Sequence, residues 1–154
     1  MPTFITGGGK HVKLFSYKSV LQCWGLTHGF VLEGFNVVAG FDADESCRYA
    51  YEMNNNGTLF INKKIEDVTA KEISELYPEG HINVLVGCAP CQPYSSYTKN
   101  KQDKGKKWRL LSEFADLICE VEPDIVSMEN VPDLVTFRKG TVYNAFFDHI
   151  RRKS

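Results

Sequence analysis

Short apolar runs alternate with longer segments of helical period along this chain. Four runs read as strands, at residues 11–16, 36–41, 83–87 and 124–128. The third is apolar at consecutive positions, Val84-Leu85-Val86, as expected of a strand covered on both faces. A shorter extended piece falls around residues 58–61. The clearest helix is 109–121, where Leu110, Leu111, Phe114, Leu117, Ile118 and Val121 recur at helical spacing and Pro123 follows. Residues 44–53 and 69–76 also read as helices, the latter opened by a capping box of Thr69 and Glu72. A last helix at 141–151 gathers Val142, Ala145, Phe146, His149 and Ile150 on one face. This alternation predicts an α/β fold with a mainly parallel sheet and right-handed crossovers. The stretch 99–107 has no apolar period and reads as a loop.

Composition narrows the class. At 154 residues the chain holds one domain with a real core. Hydrophobic content of 43% and charged content of 24% are those of an ordinary globular protein. No apolar run approaches the roughly 20 residues a membrane span needs, and residues 1–13 lack the pattern of a secretory signal. Five cysteines, an odd number without metal-ligand spacing, suggest neither a disulfide framework nor a zinc site. Cys23, Cys47 and Cys119 read as structural, and a reducing, cytoplasmic setting follows. The net charge of −1 does not mark a nucleic-acid binder. Its distribution says more, because Lys99, Lys101, Lys104, Lys106, Lys107 and Arg109 cluster in one stretch. Such a run is a solvated loop or a phosphate contact.

The candidate chemistry stands just before those lysines. After the third strand comes Gly87-Cys88-Ala89-Pro90-Cys91-Gln92-Pro93-Tyr94-Ser95. Ligands and reacting groups gather at strand ends in open α/β sheets. Three readings of Cys91 compete. It is a buried structural cysteine, one half of a redox C-x-x-C pair with Cys88, or a nucleophile on a proline-stiffened turn. The redox reading expects a helix to start at the motif, but Pro93 and a polar stretch follow. The nucleophile reading needs a partner. The fourth strand run leads into Glu129 and Asn130, which in a parallel sheet share Cys91's edge. A carboxyl group there donates or holds a proton, or else the two residues cap the next helix.

Taken together, Pro90-Cys91-Gln92-Pro93-Tyr94-Ser95 and Met128-Glu129-Asn130-Val131 strongly resemble the DNA cytosine-5 methyltransferase family, which carries both motifs in this order. Leu14-Phe15-Ser16 and Gly25-Leu26 are similar to the two ends of its first cofactor motif. Residues 35–44, 51–54 and 66–68 fit its next segments, so the resemblance runs from about Leu14 to about Leu134. It implies a doubly wound, Rossmann-like sheet of the S-adenosylmethionine-dependent type. It also implies a reaction in which the Cys91 thiolate adds to C6 of a flipped cytosine in DNA. Glu129 acts at N3, with Pro90, Gln92 and Asn130 shaping the site. By the same resemblance, Phe15, Ser16, Gly25, Asp42, Ala43, Asp67, Val68 and Leu110 bind the cofactor. Asp42 takes the ribose and Asp67 the adenine amino group. Ser95, Lys99 and Lys101 meet the substrate. The bland alternative for Asp42 and Asp44 is helix capping.

Two departures from the family pattern stand out. Eight residues, 17–24, lie between Ser16 and Gly25, where the family holds a shorter glycine-rich loop. Bulky Leu21 and Trp24 occupy that stretch, which predicts an insertion or an impaired cofactor pocket. The family's later arginine motif, recognition region and final cofactor motif do not appear before Ser154. The expectation is therefore the amino-terminal part of a catalytic domain, incomplete in its sheet and open to a second chain with the missing motifs. An inactive remnant that keeps the fold, or a transfer-RNA cytosine-5 methyltransferase of the same family, are the alternatives.

Overall fold

The computed structural model describes residues 11–16, 22–77, 79–88 and 109–153, with backbone alone at 11–16, 22–24 and 153. Five strands form one parallel sheet: β1 (His11–Ser16), β2 (Asn36–Asp42), β3 (Leu59–Asn62), β4 (Asn83–Cys88) and β5 (Ile125–Glu129). Their spatial order is β3-β2-β1-β4-β5. The order reverses between β1 and β4, which is the topological switch point of a doubly wound fold. The helices are α1 (Gln22–Leu32), α2 (Arg48–Asn54), α3 (Ala70–Leu76), α4 (Arg109–Val121), α5 (Asp133–Thr136) and α6 (Thr141–Lys153). Short 3-10 turns at Glu45–Cys47, Ile65–Asp67 and Phe137–Gly140 join them.

The sheet is covered on both faces, as the apolar run of β4 requires. Leu85 packs with Leu110, Leu111, Phe114, Leu117 and Ile118 of α4 and with Phe146 of α6. Val84 and Val86, alternating with Leu85, pack with Leu26, Phe30 and Val31 of α1. Two glycines set how closely helices approach. A Cβ on Gly87 would sit 2.4 Å from the Phe114 ring, and one on Gly40 would sit 2.1 Å from the Tyr51 hydroxyl. Side chains at these points would push a helix off the sheet. Tyr51 is fully buried, and its hydroxyl is satisfied by Thr27 of α1 at 3.0 Å.

The helix predicted at 109–121 forms as α4 over those residues. The capping box at Thr69 forms too: its hydroxyl accepts from the Glu72 N–H, and Glu72 accepts from the Thr69 N–H at 2.9 Å. The predicted helix at 44–53 divides instead. Asp44 caps a 3-10 turn by accepting from the Ser46 N–H, and α2 starts only at Arg48. The strand predicted at 124–128 is displaced by one residue. Asp124 stands before it and accepts from the Asn83 N–H at 2.7 Å, tying the starts of β4 and β5 together.

Of the stretch between Ser16 and Gly25, residues 22–24 are helical, since helix begins at Gln22 and Gly25 lies inside α1. The helix ends in a Schellman motif: Gly34 has φ 79°, its N–H reaches the Val31 carbonyl, and the Phe35 N–H reaches the Phe30 carbonyl. The Phe30 and Phe35 rings meet edge to face at 5.2 Å and clamp the turn. Among the described residues, no helix is long and apolar enough to cross a membrane.

Candidate active site

The carboxyl ends of β4 and β5 bring two of the singled-out residues together. Parallel pairing sets Cys88 directly opposite Glu129. Opposed residues in paired strands point to the same face. The Cys88 thiol, only 4% exposed, donates to Glu129 Oε2 at 3.1 Å. Glu129 itself is exposed at the end of the edge strand. Asn130 follows it with its side-chain oxygen accepting from the Val131 N–H at 2.9 Å, which turns the chain toward α5. Pro90, Cys91, Gln92, Ser95, Lys99 and Lys101 lie outside the described residues.

The other half of the candidate site lies across the switch point. Ser16 ends β1 opposite Cys88, and Phe15 pairs with both Phe41 and Gly87. Asp42 ends β2 and is 1% exposed. Its Oδ1 accepts from the Asp44 N–H at 2.8 Å, while its carbonyl accepts from the Lys63 N–H and the Asn62 amide. Asp42 therefore joins the ends of β2 and β3. Ala43 beside it is half-buried.

Asp67 ends the 3-10 turn after β3 and is exposed, whereas Val68 is buried. An ion pair braces this loop, with Lys63 Nζ 2.5 Å from Glu72 Oε1. The hydrogen bond from Lys63, followed by those from Thr69, lowers the Glu72 carboxyl from 4.5 to about 2. Gly25 lies near the start of α1, with open space where a Cβ would be. Leu110 is buried in the core under α4. A cleft of about 290 Å³ between α4 and α6 is lined by Leu111, Ala115, Phe146 and His149 among others. None of its lining residues comes from a strand end, so it is set apart from this site.

The fold is the doubly wound parallel sheet that the resemblance implies, and the comparisons agree. The family model for C-5 cytosine-specific DNA methylases matches residues 12–152. The chain belongs to this family. M.HgiDII, a type II methylase of Herpetosiphon aurantiacus, is 56% identical over 128 residues, covering 83% of this chain and 36% of that protein. M.HindV, a type II methyltransferase of Haemophilus influenzae, is 31% identical over 126 residues, 81% of this chain and 38% of that protein. This C-5 cytosine methylase chain thus spans little more than a third of the length of these relatives. A crystal structure described as a DNA modification methyltransferase of an E. coli prophage superposes with a TM-score of 0.71 at 20% identity. It covers 94% of this chain and 38% of the other, and it supports the methyltransferase fold.

One contact of this chain is not apparent in the C-x-x-C spacing, which reads Cys88 as the second thiol of a redox pair. The signal that could have found its contact is register. Cys88 and Glu129 each fall at the end of their strand, so parallel pairing of those strands makes them neighbours.

Proposed function

We propose that this chain carries the nucleophile and the cofactor-binding part of a DNA cytosine-5 methyltransferase. The observation that carries the reading is the pairing of β4 with β5, which sets Glu129 opposite Cys88. Cys91 follows Cys88 by three residues, and three residues of chain reach at most about 11 Å. That reach supports the reading in which nucleophile and acid share one site. The target cytosine must leave the duplex stack before its ring carbons can be reached. Cys91, as a thiolate, adds to C6 of that ring. Glu129 holds the proton at N3, which offsets the negative charge that develops as the adduct forms. Addition makes C5 nucleophilic. After C5 is methylated, its proton passes to a base, and expulsion of Cys91 restores the ring.

Bound S-adenosylmethionine would supply the electrophilic methyl group. The residues present fit that cofactor. Asp42 puts a carboxylate at the end of β2, where ribose hydroxyls are accepted in doubly wound folds. Asp67 and Val68 offer an acceptor and an apolar wall at the turn after β3. Phe15, Ser16, Gly25 and Leu110 are proposed to complete the pocket. Ser95, Lys99 and Lys101 are proposed to meet the DNA, Pro90 and Gln92 to hold the Cys91 turn, and Asn130 to hold the Glu129 strand end. The setting proposed is cytoplasmic. The chain spans 36% of M.HgiDII, and DNA is its proposed substrate.

The test uses DNA containing 5-fluorocytosine. Fluorine cannot leave C5 as the proton does, so the covalent adduct persists. With the complementary half of a close relative supplied, the chain should form the adduct. Cys91→Ser should abolish it, and Cys88→Ser should retain it. An adduct that survives Cys91→Ser would end the assignment.

A further inference from the structure

We infer that Cys88 is a positioning residue for Glu129, fixing the carboxyl that acts on the substrate ring. The inference rests on the function proposed above, because it assigns Cys88 a task within that same site. Three observations carry it. Cys88 and Glu129 are register partners at the ends of β4 and β5. The thiol donates to Glu129 Oε2 at 3.1 Å. Cys88 is 4% exposed while Glu129 is exposed, so one side chain is fixed by packing and the other is not.

The physical need is plain. A glutamate on an edge strand has several rotamers open to it, and a proton-handling carboxyl must be held in one. Among the described residues, the Cys88 thiol makes the hydrogen bond that selects one. The thiol can do so because its own position is set by close packing and by strand pairing. Gly87 before it lies under the Phe114 ring, and the strand is paired on both sides, with Ser16 and Glu129 opposite Cys88 itself. Oε2 is engaged by the thiol, which leaves Oε1 to address the N3 proton of the cytosine. In this geometry Cys88 is the donor to Glu129, which is a different task from disulfide exchange with Cys91. The C-x-x-C spacing is then two cysteines with separate roles: one attacks, and one orients the acid.

The contact and its consequence are tested separately. Infrared difference spectra of the 154-residue chain, wild type minus Cys88→Ala, isolate the S–H stretching band of Cys88. That band should lie at the lower frequency of a hydrogen-bonded thiol and rise when Glu129→Ala removes the acceptor. A band indifferent to Glu129→Ala overturns the inference, whatever becomes of the catalytic reading. Kinetics with the complementary half supplied then test the role. Cys88→Ala should lower kcat roughly 10- to 100-fold, the scale for a misplaced catalytic group, with KM for DNA unchanged. Cys88→Ser, which still donates, should recover most of the loss. An unchanged kcat in Cys88→Ala, or a Ser variant no better than Ala, overturns it. Failure of the broader reading shows differently, as methyl transfer that persists in Cys91→Ser, and that result overturns the inference too.

Discussion

Gly87→Ala tests whether α4 is seated on the sheet as described. The new methyl would lie 2.4 Å from Phe114 Cζ, 2.6 Å from Cε1 and 2.8 Å from Cε2. Carbon contacts are optimal at about 3.5–4.0 Å, so the ring must retreat by roughly 1 Å. It has little room to do so. Phe114 is 3% exposed and stacks on Phe146 at 6.2 Å with planes 11° apart. Forcing a methyl into such a core costs about 1–3 kcal/mol. Replacing a strand glycine by alanine returns about 0.5–1 kcal/mol by restricting the unfolded chain. Taking the middle of each range, the net loss is about 1.3 kcal/mol. Urea denaturation reads it as a lower midpoint. With a slope of about 2 kcal/mol/M, the midpoint should fall by roughly 0.6 M. Phe114→Leu removes the obstructing ring edge, so in the double variant the Gly87→Ala penalty should shrink by about 1 kcal/mol, the coupling expected of residues in contact. A Gly87→Ala chain as stable as the wild type, or strictly additive substitutions, would refute the packing of β4 against α4.

Other expectations follow from the same structure. Asp42→Ala should weaken S-adenosylmethionine binding by roughly 1.5–3 kcal/mol, the scale of a hydrogen bond to a charged group. Calorimetry measures it, and unchanged affinity in a folded variant would refute a ribose contact at Asp42. The Glu72 carboxyl is lowered by folding from 4.5 to about 2, so its contribution is complete above about pH 4.5 and is lost as pH falls toward 2. Lys63→Met should therefore flatten the stability profile in that acid window, and an unaltered profile there would contradict the pairing. Ile125 and Val126 are 50% and 38% exposed on the edge strand β5, and an apolar sheet edge invites association. Ile125→Lys should shift sedimentation toward monomer, and an unchanged distribution would show that this edge does not drive self-association.

Elements whose pattern is local were legible before any tertiary structure. The period of Leu110, Phe114, Leu117 and Ile118 marks α4, because one apolar face against one sheet face is a sequence property. The apolar run Val84-Leu85-Val86 marks a strand with two covered faces, and Leu85 and Val86 are indeed packed toward opposite layers. The capping box of Thr69 and Glu72 is a contact between residues three apart, so it too was readable.

Helix α1 was not, since Gly25 and Gly29 lower its helix propensity and its apolar residues are spread around the helix rather than gathered on one face. Its stop signal was present at Gly34, whose left-handed turn only glycine adopts cheaply. What the sequence could not give is which strand lies beside which. Order β3-β2-β1-β4-β5 is decided by crossovers and packing between distant segments. That order decides the site. It brings Cys88 to Glu129 across 41 residues of chain and joins the ends of β2 and β3 through Asp42. Local physics chose the elements, and the sheet's order chose the neighbours, because a hydrogen bond between residues far apart in the chain exists only once the strands that carry them are paired.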